Sequence, residues 1–105
     1  MNPMSKRLAF LERMVKNGCH DPFAWYGLAI EYRNLERFED SLRTFESLRA
    51  QFPDYVPMYL ICGQMLDRQG RQDEARDWIQ AGIRAAGARR DTHAVSELEA
   101  ALAAL

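Results

Sequence analysis

The sequence predicts an all-α chain, a solenoid of about six helices stacked as antiparallel pairs in one domain over residues 1–105. Two observations predict it. Apolar residues recur at helical spacing in six stretches parted by short turn signals, and the pattern of one stretch returns 34 residues later. Self-similarity at such a period is the mark of stacked supersecondary units, because each unit buries its apolar face only against its neighbours.

Sliding the chain by 34 residues pairs Trp25 with Tyr59, Leu28 with Cys62, Ala29 with Gly63, Tyr32 with Leu66, Ser41 with Ala75, Phe45 with Ile79 and Pro53 with Gly87. Trp25, Leu28, Ala29 and Tyr32 stand at i, i+3, i+4 and i+7, one stripe of an α-helix, and Tyr59, Cys62, Gly63 and Leu66 repeat it. Small residues at Ala29 and Gly63, and at Ser41, Ala75 and Gly82 on the following helices, let a neighbouring helix come close while larger side chains fill the space beside them.

Helices are expected at about 4–17, 22–35, 38–51, 55–69, 72–86 and 92–104. In the first, Leu8, Leu11, Met14 and Val15 align 34 residues ahead of Leu42, Phe45, Leu48 and Arg49, so this element reads as the second helix of a pair standing without its first. Asp21 and Pro22 offer an N-cap followed by proline at the first helical position. Pro53 halts the third helix, and Gly18, Gly70 and Gly87 are placed to close helices in the left-handed conformation. Repeats then run over 22–55 and 56–89. The last segment, 92–105, carries Val95, Leu98, Leu102 and Leu105 and fits the first-helix stripe with two extra residues in the 87–91 connection; it is a closing helix.

Written along one unit, the order is aromatic, two residues, apolar, small, two residues, large apolar, then small, three residues, large apolar, and a helix-ending Pro or Gly. That string resembles the tetratricopeptide repeat. Its first helix is similar to Asp21-Pro22-Phe23-Ala24-Trp25-Tyr26-Gly27-Leu28-Ala29-Ile30-Glu31-Tyr32 and its second to Arg37-Phe38-Glu39-Asp40-Ser41-Leu42-Arg43-Thr44-Phe45; Gly70-Arg71-Gln72-Asp73-Glu74-Ala75 repeats the turn. The resemblance covers residues 22 to about 89. Glu36, where the family often has glycine, and Leu48, larger than usual there, depart from it and point to local repacking in the first unit.

The resemblance implies a concave face, lined by the first helices, that binds a segment of another protein. On that face Phe23, Tyr26, Ile30 and Asn34 adjoin the core stripe, and Leu60, Gln64, Asp67 and Arg68 are their counterparts one repeat on. Arg33 and Arg68 are placed to pair with acidic groups of a ligand. The apolar members suit an amphipathic helix or extended peptide. Two other covers are open to them: the flanking terminal helix, or a second copy in a homodimer. The carboxylate clamp with which some family members hold chaperone tails needs Lys, Arg and Asn; Tyr26, Ile30, Ile61, Asp91 and Val95 at the matching positions do not supply it.

Composition narrows the functional classes. Fourteen Lys plus Arg against fifteen Asp plus Glu leave a net charge of -1, with no basic excess for a nucleic-acid backbone. The longest apolar runs fall far short of the roughly 20 residues a membrane span needs. Cys19 and Cys62 lie in different segments without a cysteine framework, and Glu12 and Arg13 interrupt any secretory h-region, so a cytoplasmic, reducing compartment is expected. Cys19-His20-Asp21 is the one cluster suggesting metal or nucleophilic chemistry; it is short of ligands for zinc and reads as a turn and cap. With no phosphate-binding glycine loop either, the chain is expected to be a binding protein without catalytic activity, cofactor or metal.

Overall fold

A computed structural model describes residues 3–105. Its six helices are α1 (Pro3–Lys16), α2 (Pro22–Asn34), α3 (Phe38–Gln51), α4 (Pro57–Arg68), α5 (Gln72–Ala88) and α6 (Thr92–Ala103), and no strand occurs among the described residues. They divide into two compact units, the first ending at Phe52 and the second beginning at Pro53.

In the first unit α2 packs on both α1 and α3. Leu8 and Leu11 of α1 meet Leu28 and Tyr32 of α2, with Val15 and Leu35 at the edge. On the other side of α2, Ser41 Oγ donates to the carbonyl of Ala29 at 2.7 Å. A hydroxyl reaches a backbone carbonyl of the neighbouring helix only where both side chains are small, and the repeat marks each of these two positions as small. Phe45 and Leu48 are wholly enclosed, each burial contributing about 1.5–3 kcal/mol. Trp25, at the head of the stripe, is half-buried and its indole N–H donates to the carbonyl of Cys19 at 3.3 Å.

The Tyr32 hydroxyl donates to the Glu12 carboxylate, and the Arg37 guanidinium lies 4.7 Å above its ring centroid. Burial, then the hydrogen bond to Glu12 and the charge of that carboxylate, push the phenol from its ordinary 10.0 up to about 12, against the opposing pull of Arg37. The folded value lies above the unfolded one. The phenol therefore contributes its full stabilisation below pH 10.0, and that contribution is lost as pH rises through about 12. Phenolate absorbance should show one tyrosine ionising about two pH units late; Glu12→Gln should bring it down, and Tyr32→Phe should remove it.

The second unit repeats the arrangement, with α5 packed on α4 and α6. Tyr59, Cys62, Gly63 and Leu66 are all buried, as the 34-residue match requires. A Cβ on Gly63 would stand 2.6 Å from Ile79 Cγ1, and one on Gly82 would stand 2.5 Å from Tyr59 Cβ and 3.0 Å from Leu98 Cδ2. These two glycines are what allow α4, α5 and α6 to approach. Tyr59 also packs its ring against Trp78 and donates its hydroxyl to the carbonyl of Pro53 at 2.5 Å.

The ends of the helices follow local chemistry. Asp21 Oδ1 accepts from the N–H of Phe23 at 2.9 Å and Asp91 Oδ1 from that of Ala94 at 3.0 Å, so α2 and α6 begin with the same aspartate cap. Pro57 holds the start of α4 later than the expected residue 55, with Val56 as its N-cap. Gly70 (φ 75) closes α4 as expected, its N–H bonded to Asp67 O and that of Arg71 to Leu66 O. Glu36 takes the same left-handed conformation (φ 60) with the equivalent bonds to Arg33 O and Tyr32 O. The family-like turn is thus kept without its glycine, at a cost of about 1 kcal/mol of backbone strain, rather than repacked. Gly87 does not close α5: the helix runs on to Ala88, and Arg90 (φ 57) makes the left-handed turn. The two extra residues before α6 are absorbed there.

Candidate functional site

After core packing, α2 keeps a face on which Tyr26 and Ile30 are half-buried and Asn34 is exposed. The Tyr26 ring meets Phe45 of α3 edge-on, centroids 6.5 Å apart. Burial raises the Tyr26 phenol, while the nearby positive charge of Arg33 works against it. Arg33 turns its guanidinium to Asn34 Oδ1 at 3.2 Å.

In the second unit the corresponding face of α4 carries Leu60, half-buried, with Gln64 and Arg68 exposed and Asp67 accepting from Gln72 Nε2 at 3.4 Å. Along both helices the order is the same, with partly buried apolar side chains toward the start and polar ones toward the end. Such a face offers hydrophobic contact area and a few hydrogen-bonding groups.

Phe23 belongs elsewhere. It is 67% exposed and lines a cleft of about 240 Å3 between α1 and the start of α2, bounded by Phe10, Leu11 and Met14 on one side and Ala24 and Gly27 on the other. Phe10, also in the cleft wall, is 59% exposed. Arg7 lies at its edge, its Nε 3.1 Å from Oε1 of the buried Glu31. The sequence reading did not single out Phe10, Arg7 or Glu31. The available signal was that Phe10 sits off the Leu8, Leu11, Val15 stripe while sharing its repeat position with Trp78.

The Cys19-His20-Asp21 turn is occupied structurally. The Cys19 carbonyl receives the Trp25 indole, the His20 ring packs on Phe52 with centroids 4.9 Å apart, and Asp21 caps α2. Among the described residues no group of three or more His, Cys, Asp or Glu is placed to hold a metal, and no helix is long and apolar enough to cross a membrane.

Helical pairs in a 34-residue register, closed by a shared turn and packed through matched small residues, define an α-helical repeat protein. The tetratricopeptide repeat family model matches residues 26–90. Among solved structures the chain is similar to a tetratricopeptide repeat domain protein from Salinibacter ruber, with 35% identity. Its crystal structure aligns over 78% of this chain and 91% of that one (TM-score 0.71), and its solution structure over 78% and 83% (TM-score 0.74). A Bordetella parapertussis protein solved in solution aligns over 97% of this chain and 86% of its own, with 27% identity and a TM-score of 0.77. The chain belongs to the tetratricopeptide repeat family, whose members generally mediate protein–protein interactions and are typically not enzymes.

Proposed function

We propose that the chain is a scaffold or adaptor that binds a peptide or helix of a partner protein on the faces of its first helices. Tyr26 and Ile30 of α2 and Leu60 of α4 carry this reading: they remain partly exposed after the internal packing is complete. Partly buried aromatic and aliphatic anchors, already held by a rigid scaffold, lose little side-chain freedom on binding. Asn34, Gln64, Asp67 and Arg68 supply the polar rim, and Arg33 a charge for an acidic ligand group. The whole of residues 1–105 acts as one repeat domain in this reading, working in the cytoplasm, where the free Cys19 and Cys62 thiols stay reduced. It works by binding, without cofactor or catalysis, and its ligand is protein rather than nucleic acid.

Replacing Tyr26 by Arg and Leu60 by Glu tests the proposal, with circular dichroism to verify that the helices persist. Capture of the native partner should fall at least about tenfold, since each change sets a charge into a desolvated contact. Unchanged capture removes the proposal. Light scattering at several concentrations separates the other occupant: a homodimer that dissociates with Leu60→Glu would replace the partner by a second copy.

A further inference from the structure

Ala24, Gly27 and Glu31 stand at i, i+3 and i+7 of α2, on the side turned to α1. A Cβ on Gly27 would lie 3.7 Å from Leu11 Cδ2 and 3.8 Å from Arg7 Nη2, so the two helices meet at this level and Arg7 reaches on to Glu31. Its Nε stands 3.1 Å from Glu31 Oε1, but the two members of the pair are unequally placed: the Glu31 side chain is 9% exposed and that of Arg7 60%. Glu31 Oε2 is buried and meets no donor of the protein. A carboxylate taken out of water carries a desolvation penalty that its partners must offset, and one largely hydrated guanidinium on one oxygen offsets it incompletely.

The apolar part of this contact is small. Among the described side chains of α1 only Leu8 and Leu11 are buried, while Phe10 stays 59% exposed and Met14 half-buried in the cleft wall. On its other side α2 is gripped by α3 with Ser41, Leu42, Thr44, Phe45 and Leu48, all buried. The bond from Tyr32 to Glu12 fixes where α1 lies along α2, yet both groups bond to water once parted, so it adds direction more than strength.

We propose that α1 is a detachable cover that lifts from α2 as one element while α2 and α3 stay paired, and that Glu31 sets how readily it lifts. In the lifted form Glu31 regains water at both oxygens, and Leu28 and Tyr32 are bared beside it. The closed form thus conceals a strip of α2, apolar with one carboxylate, made of other residues than the Tyr26 and Ile30 face. Elements with few buried apolar contacts are the ones that open below the free energy of global unfolding. The cover stands or falls independently of what binds at Tyr26, Ile30 and Leu60.

The unequal exposure of the pair predicts an asymmetry. Removing Glu31 leaves Arg7 where water already reaches it, whereas removing Arg7 strands the buried carboxylate. Native-state hydrogen exchange of the whole chain reads both points amide by amide. In the parent protein the amides of residues 8–16 should exchange through one common opening, at least about tenfold faster than those of residues 42–51 in α3. Glu31→Met should slow exchange in α1 at least about tenfold, and Arg7→Met should speed it at least about tenfold. An ion pair that simply clamps α1 would make both variants exchange faster. Equal rates in α1 and α3, rates graded along α1 as in fraying from its end, or a Glu31→Met protein whose α1 exchanges faster than the parent's would overturn the proposal. The parent chain alone decides between a common opening and the first two of these outcomes, so that comparison holds even where a variant fails to fold.

Discussion

Phe45→Ala is expected to destabilise the first unit by about 3–5 kcal/mol, the range for deleting a buried aromatic side chain whose neighbours cannot fully collapse into the space. Phe45 is 0% exposed and supports the edge of the Tyr26 ring, so the cavity opens between α2 and α3, directly beneath the proposed binding face. Against a total stability of about 5–15 kcal/mol this is a large fraction, and the melting temperature should fall by at least about 12 °C. Thermal unfolding followed by Trp25 fluorescence, with Trp78 replaced by Phe, reads the first unit. A shift of less than about 4 °C would mean that Phe45 does not hold α2 on α3.

Gly82→Val should produce a comparable loss in the second unit by the opposite route. Its Cβ would meet Tyr59 Cβ at 2.5 Å, and that atom is fixed to the α4 backbone, so relief requires α4 and α5 to separate. Overpacking of this kind costs about 3 kcal/mol, while exchanging glycine for valine inside a helix returns only a few tenths. Urea unfolding followed by Trp78 fluorescence, with Trp25 replaced by Phe, should show the midpoint shifted down. Gly63→Ala is the milder comparison, because its Cβ meets Ile79 Cγ1, a side-chain atom with some freedom to turn away. A Gly82→Val protein as stable as the parent would show that the glycine is not a packing requirement.

Both predictions concern residues that the repeat register had marked, and their legibility has a common cause. Packing between paired helices depends on side-chain volume at fixed spacing, and volume is written directly in the sequence: Ala29 and Gly63 on the first helices, and Ser41, Ala75 and Gly82 on the second, read as places of close approach. Helix ends were legible where one residue type dominates the conformation, as at Asp21, Pro22 and Gly70. They were less legible at Gly87 and Glu36. There the left-handed position is decided by how far the preceding helix can run before its stripe is exhausted, and a non-glycine residue accepts the strain. The candidate site was legible only in part. Tyr26, Ile30 and Leu60 announced themselves as apolar residues beside the stripe, but Phe23 shares its surroundings with Phe10 across α1, a neighbour that no periodicity within α2 reveals. Arg7 and Glu31 were hidden for a similar reason: a buried carboxylate is recognisable only once the cation that pairs with one of its oxygens has been brought alongside.

The claim that matters most is that the first helices are where another protein is held. Photo-crosslinking amino acids placed singly at Tyr26 and Leu60, and for comparison at the exposed Glu46 of α3 and Gln80 of α5, test it in the native lysate. The same polypeptide should crosslink from Tyr26 and from Leu60 and from neither comparison position. Crosslinks from Glu46 or Gln80 alone, or different polypeptides from every position, would contradict it.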